Sequence, residues 1–304
     1  MPVTAPIANI ARGSLHDGPG VRTVIYFKGC PLRCRWCHNP ETWSAHAQTI
    51  CRPNKCIGCG QCIATCPEHH IMENDRIVFS RDGCSACGAC AERCPANALA
   101  VIGEKKTTED VWEKLQKDLH YYRASGGGVT FSGGECLLYP EFVARVAKRC
   151  QAEGIHTAVE SALCIPWKNA ETVLPFIDLF FADLKLVDPQ KHQDYTGKDN
   201  HLILQNLQQL STSAREVIVR IPLIPGVNDS PDDMRDFGTV LNGLGKKVSC
   251  VELLRYNDLA SSKYEQLGLE YFSFGKETRS KETLAALVKE LQRVVPHLPV
   301  ICDA

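Results

Sequence analysis

The sequence predicts an α/β fold: an open, partial (β/α)6 barrel interrupted near its start by an inserted cysteine-rich module. Three observations predict it. Six short apolar or β-branched runs alternate with helical patterns, chemically distinctive residues follow nearly every run, and nine of the seventeen cysteines crowd into residues 50–103.

The first run is 21–28, before the insertion; the others are 129–131, 157–160, 179–184, 216–221 and 249–254. Between them lie amphipathic segments such as 141–153, where Phe142, Val143, Val146, Ala147 and Cys150 share one face. Thr107 with Asp110 reads as a capping box opening a helix through Trp112, Leu115 and Leu119. Strands and helices in series imply a parallel sheet with helical crossovers. Six units are too few for a closed eight-stranded barrel. A doubly wound sheet competes, and periodicity alone does not separate the two. The barrel is favoured because the distinctive residues sit after the strands, where barrel enzymes build their sites. The division is then 1–49 and 104–304 for the barrel and 50–103 for the module.

The chain has 304 residues, 44% hydrophobic and 23% charged, an ordinary globular composition. Thirty-four basic against thirty-five acidic residues give a net charge of −1, which points to no nucleic-acid partner and no membrane partner. No run of eighteen apolar residues and no signal-like start is present, so a cytoplasmic protein is expected. Thiols stay reduced there. Disulfides are therefore a poor account of seventeen cysteines, and metal or cluster ligation suits the eleven clustered ones. Buried thiols suit the six scattered ones, Cys51, Cys136, Cys150, Cys164, Cys250 and Cys302.

Cys30-x3-Cys34-x2-Cys37 follows the first strand and offers three thiolates. A cubic iron–sulfur cluster takes four ligands, so three leave one iron open, the mark of a reactive centre. A zinc site completed by His38 or a distant residue is the alternative. In the module, Cys56-x2-Cys59-x2-Cys62-x3-Cys66-Pro and Cys84-x2-Cys87-x2-Cys90-x3-Cys94-Pro are two copies of the bacterial ferredoxin run. In that run the fourth cysteine ligates the other cluster. Cys56, Cys59 and Cys62 then go with Cys94, and Cys84, Cys87 and Cys90 with Cys66; Cys51 is surplus. Four ligands each leave no open iron, which suits electron transfer, with a structural role as the alternative.

Asp17-Gly-Pro-Gly-Val-Arg-Thr and Lys28-Gly-Cys-Pro-Leu-Arg-Cys-Arg-Trp-Cys-His-Asn-Pro-Glu41 resemble the start of a glycyl-radical-enzyme activating enzyme, a branch of the radical S-adenosylmethionine (radical SAM) superfamily. The cysteine spacing alone indicates the superfamily; Trp36, His38, Asn39 and Pro40 narrow it to the branch. The likeness continues through 122–135, 182–185, 220–229 and 253–268, and the ferredoxin runs place it in the pyruvate formate-lyase activase-like subgroup with an inserted two-cluster module. It implies a radical SAM barrel holding three 4Fe-4S clusters and S-adenosylmethionine, with a glycyl radical enzyme as partner and an external electron donor such as flavodoxin or ferredoxin. An electron entering the sulfonium breaks its bond to C5′, and the 5′-deoxyadenosyl radical takes hydrogen from a glycine of the partner.

The resemblance also implies roles. Cys30, Cys34 and Cys37 are the catalytic cluster ligands, with Trp36 shielding the cluster and His38 beside the adenosyl ligand. Glycines at 126–128 and 133–134 flank the second strand, and Gly133, Gly134 and Glu135 match the family loop at the methionyl amino group. Glu160 stands where some members carry an aspartate. Asp183, Leu184 and Lys185 match an Asp-Leu-Lys motif at the nucleoside or carboxylate. Asn257 and Arg255 replace a histidine and a proline of the family pattern, and Cys136 replaces another proline. Asp17 and Arg220 are candidates to receive the partner's glycine loop, with membership of a structural salt bridge as the equal alternative for each. A radical SAM enzyme modifying a small metabolite or peptide, with auxiliary clusters near its substrate, is the alternative function. A pure electron carrier of polyferredoxin type needs neither the Gly-Gly-Glu loop nor an open trio.

Overall fold

The computed structural model describes residues 2–73, 76–275 and 280–302. The chain opens with an antiparallel pair, β1 (Thr4–Ser14) and β2 (Arg22–Phe27). The module follows: β3 (Gln48–Cys51), α1 (Gln61–Thr65), β4 (His70–Glu73), β5 (Arg76–Phe79), α2 (Ala89–Glu92) and β6 (Leu99–Ile102). Next come β7 (Glu104–Thr107), α3 (Thr108–Leu115), α4 (Leu119–Ser125), β8 (Gly128–Gly133), α5 (Pro140–Ala152), β9 (His156–Ser161), α6 (Trp167–Val173) and β10 (Leu179–Asp183). The rest is α7 (Pro189–Thr196), α8 (His201–Ser213), β11 (Val217–Leu223), α9 (Pro231–Asn242), β12 (Val248–Arg255), α10 (Ser261–Leu267), α11 (Lys281–Val294) and β13 (Val300–Cys302).

The main sheet has nine strands in the order β13-β12-β11-β10-β9-β8-β2-β1-β7. From β2 to β13 every pairing is parallel, and each new strand joins the same side of its predecessor. A doubly wound sheet reverses direction at a switch point. This one never does, so the partial barrel is the architecture and the carboxyl ends of all six predicted strands share one rim.

Phe27, Phe131 and Phe142 are fully buried, with Phe142 edge-on to Phe27 at 5.7 Å between ring centroids. The apolar face of α5 packs inward through the five residues its spacing predicts. The capping box at Thr107 and Asp110 forms, but the predicted helix through Leu119 breaks at a 3-10 turn, Gln116–Asp118. There the buried Asp118 turns to Arg12 Nε (2.7 Å) and Thr23 Oγ1 (3.0 Å).

The module consists of two small antiparallel pairs, β3 with β6 and β4 with β5. Its separate apolar cluster has three buried members, Cys62, Cys90 and Leu99. So little apolar surface leaves a small unit short of a core, the situation in which metal or disulfide staples are used. Lys28, fully buried at the end of β2, roots the module by donating to Gln48 Oε1 at 3.0 Å. A Cβ at Gly103 would stand 2.3 Å from the Lys28 stem, so glycine is required at the module's exit.

Candidate active site

The rim carries a cavity of about 460 Å³. Cys30, Cys34 and Cys37 line it together with Trp36 and His38 from the same loop. Gly133 at the end of β8 and Gly134 just after it, Glu160 on β9, Asp183 and Lys185 at β10, Arg220 on β11 and Asn257 after β12 complete the predicted residues it gathers. Ser132, from the segment the sequence marks after the second strand, lines it as well, as do Ser161 and Tyr256, which the sequence does not single out.

Backbone bonds fix the cysteine loop. Gly29 N donates to Thr42 O (2.7 Å), and Arg33 N and Arg35 N donate to the end of α7 at Thr196 O (2.7 Å) and Tyr195 O (3.0 Å). From α10, Tyr264 Oη donates to Cys37 O (3.0 Å), while Lys263 Nζ reaches Asn39 Oδ1 (2.6 Å) and Glu41 Oε1 (2.8 Å). Trp36 is buried between Tyr195 and Phe274, each 6.1 Å away by ring centroid. His38 Nε2 donates to Asn257 O at 3.0 Å and ties the cysteine loop to the end of β12. Burial lowers the His38 pKa and favours the neutral ring.

The three thiols fit a cluster. All are free, and burial pushes Cys30 and Cys34 up to about 12 and raises Cys37 too. Such thiols ionise only when something electrophilic takes their charge, which is what iron does. Gly133 and Gly134 line the cavity and pack tightly against neighbouring backbone: Gly133 has φ +109°, and a Cβ at Gly134 would lie 2.3 Å from Gly29 O. Beside them Lys185 Nζ pairs with Asp183 Oδ2 at 2.7 Å. Burial alone would lower the Lys185 pKa, but Asp183 and Cys34 hold it above its ordinary value, so it stays a cation facing the trio.

Two predicted ligand residues stand elsewhere. Glu135 does not line the cavity; it is fully buried beneath, accepting from Leu137 N (3.2 Å), Ser161 Oγ (2.9 Å) and Ala162 N (3.1 Å). Burial outweighs these donors and lifts its pKa to about 7. The carboxyl thus locks the loop after β8 to the loop after β9. Leu184 is buried in the core, as the strand period dictates between two cavity-facing neighbours. Asp17 lies in the turn before β2, outside the cavity, where its carbonyl accepts from Thr130 Oγ1 at 2.7 Å. Gly127 and Gly128 pack backbone to backbone at the start of β8, where a Cβ on Gly128 would stand 1.8 Å from His156 O; Gly126 has open space around it, and none of the three lines the cavity. Cys136 is wholly buried.

In the module, one cavity is lined by Cys56, Cys59, Cys62 and Cys94, with Cys51 beside them. A second is lined by Cys66, Cys84, Cys87 and Cys90. Among the described residues no three His, Cys, Asp or Glu side chains converge on one point as ligands of a single ion do. No helix among them is long and apolar enough to cross a membrane.

The Radical SAM superfamily model matches residues 24–238, so the chain belongs to the radical SAM superfamily. It is 44% identical over 87% of its length to the (2S)-3-sulfopropanediol dehydratase activating enzyme of Klebsiella oxytoca, of which 86% is covered. It is 40% identical over 94% to the benzylsuccinate synthase activating enzyme of Thauera aromatica, of which 89% is covered. Within the superfamily it therefore stands with the activating enzymes of glycyl radical enzymes, whose chemistry rests on a 4Fe-4S cluster and S-adenosylmethionine. The crystal structure of Streptococcus suis SuiB bound to precursor peptide SuiA superimposes with a TM-score of 0.56 over 92% of this chain and 48% of that one. At 11% identity that likeness bears on the fold alone.

Proposed function

We propose that this enzyme activates a glycyl radical partner through three 4Fe-4S clusters, one at the cavity and two in the module. The observation that carries the reading is the convergence of Cys30, Cys34 and Cys37 with Gly133 and Gly134 on one cavity. When bound, the cluster and S-adenosylmethionine supply one-electron cleavage of the C5′–sulfur bond and a radical that takes hydrogen from the partner's glycine.

The chain's own residues bind, orient and shield. The trio holds the open cluster, and Trp36 keeps water from it. Gly133 and Gly134 let backbone polar groups approach the methionyl amino group, and Lys185, aimed by Asp183, suits the carboxylate. Asn257 offers an amide to the nucleoside, and His38 holds that loop against the cysteines. Arg220, with Glu160 on one side, faces the space where the glycine loop enters.

Each module cavity takes one cluster, held by the four cysteines that line it, and relays electrons from flavodoxin or ferredoxin. The supporting fact is that the interleaved pairing read from the repeat matches the two cavities. Iron and sulfide analysis tests the cluster count: replacing Cys30, Cys34 and Cys37 by Ala should leave two of three clusters. For the relay, Cys59→Ala with Cys87→Ala should abolish deoxyadenosine formation with a protein donor while a strong small reductant restores part of it. Normal turnover with the protein donor would sink the relay.

A further inference from the structure

His70 opens β4 inside the module and is 1% exposed, yet neither ring nitrogen has a hydrogen-bond partner among the described residues. Buried polar groups are satisfied as a rule, so an unpartnered buried imidazole calls for a specific partner outside the chain. The ring is held in place by stacking on Phe79, with 4.8 Å between centroids and 20° between planes. Its location is particular. It lines the cavity of Cys56, Cys59, Cys62 and Cys94, and it also lines the cavity of Cys66, Cys84, Cys87 and Cys90. His70 is therefore a wall shared by the two cavities.

The internal repeat makes this a one-sided feature. Cys66 and Cys94 close the two copies, and His70 follows the first as Ala98 follows the second. Ala98 lines the first cavity but carries no side-chain donor.

We propose that His70 tunes the module: its ring N–H donates to a sulfur of the cluster in one of the cavities it separates and raises that cluster's reduction potential above its twin's. Reduction adds negative charge to a cluster, and an N–H aimed at its sulfur stabilises the reduced form; hydrogen bonds to sulfur are among the protein's levers on potential. Neutral or charged, an imidazole carries at least one N–H, so the ring has one to give. One cluster receives it, and the two potentials separate. This rests on the reading that each cavity holds a 4Fe-4S cluster.

The test uses the full chain with Cys30, Cys34 and Cys37 replaced by Ala, so that only module clusters report. Iron and sulfide content and an EPR-monitored redox titration are compared for His70, His70→Phe and His70→Gln. His70→Phe fills the ring's space without a donor, and His70→Gln keeps one; His70→Leu replaces the Phe variant if that one loads poorly. The expected result is two clusters in each protein and a lower potential for one of them in His70→Phe. The reduced-to-oxidised ratio of that cluster should fall about tenfold at fixed potential, about 59 mV for one electron. His70→Gln should recover most of the shift. Unchanged potentials in a fully loaded Phe variant overturn the proposal, as does an equal fall in the Phe and Gln variants. Absence of clusters in the protein that keeps His70 is a different failure: it overturns the cluster reading, and the tuning role with it.

Discussion

Arg220 Nε donates to Glu252 Oε2 at 2.7 Å, between register partners on β11 and β12. The same guanidinium pairs with Glu160 and lies 3.5 Å from the Phe181 ring centroid. Burial alone would lower its pKa, but the two glutamates keep it charged. Arg220 lines the cavity and Glu252 does not, so Glu252 is a positioning residue that acts through Arg220. A hydrogen bond to a charged group contributes about 1.5–3 kcal/mol. Glu252→Gln should therefore slow glycyl-radical formation on the partner by roughly tenfold to a hundredfold. Deoxyadenosine formation without partner should change little. Equal losses in both assays would mean that Glu252 serves the fold rather than the partner site.

The loop after β8 makes a sharper demand. A Cβ at Gly134 would meet Gly29 O at 2.3 Å and Thr42 O at 2.8 Å, both backbone atoms unable to swing aside. Gly134→Ala should lower stability by on the order of 3 kcal/mol and weaken S-adenosylmethionine binding. Gly154→Ala is the control: φ is +67° there, but nothing lies within 4 Å of the added carbon. It should cost about 1 kcal/mol and leave binding intact. Denaturant unfolding and equilibrium binding would show whether the two behave alike.

Tyr264 on α10 donates to the Cys37 carbonyl and so ties α10 to the cysteine loop. Tyr264→Phe should lose about 1 kcal/mol of stability. The trio's cluster should also be lost faster to a chelator, while the module's clusters keep their wild-type rate. Uniform loss from all three sites would contradict this local role.

Asp118 gives the fold a pH signature. Its pKa is lowered, first by the hydrogen bond from Arg12, against burial, with Thr23 helping. An acid whose folded pKa is depressed adds stability above its unfolded value, and that contribution is lost as pH falls through the folded one. Asp118→Asn should be about 1–3 kcal/mol less stable at pH 7, with the gap closing below about pH 4. A gap constant from pH 7 to pH 3 would rule the carboxylate out as its source.

The parallel strands are legible in the sequence because β8, β9 and β10 are buried along nearly their whole length and each carries a short apolar or β-branched stretch. β1 and β7 escape notice because most of their residues are only partly buried, and β13 is only three residues long. Within the site, the cysteines and glycines are legible because each type has few substitutes at such spacing. Glu135 reads as a ligand from its motif, but the motif does not reveal which way the side chain turns. Glu252 gives no signal at all, since its meaning depends on Arg220 thirty-two positions away.

The most direct measurement mixes the anaerobically reduced enzyme with S-adenosylmethionine and candidate glycyl radical enzymes, and follows EPR and deoxyadenosine together. The account predicts a glycine-centred radical on one partner, deoxyadenosine in step with it, and neither product when Cys30, Cys34 and Cys37 are replaced. Deoxyadenosine formed with turnover of a small molecule, and no glycine radical on any partner, would contradict it.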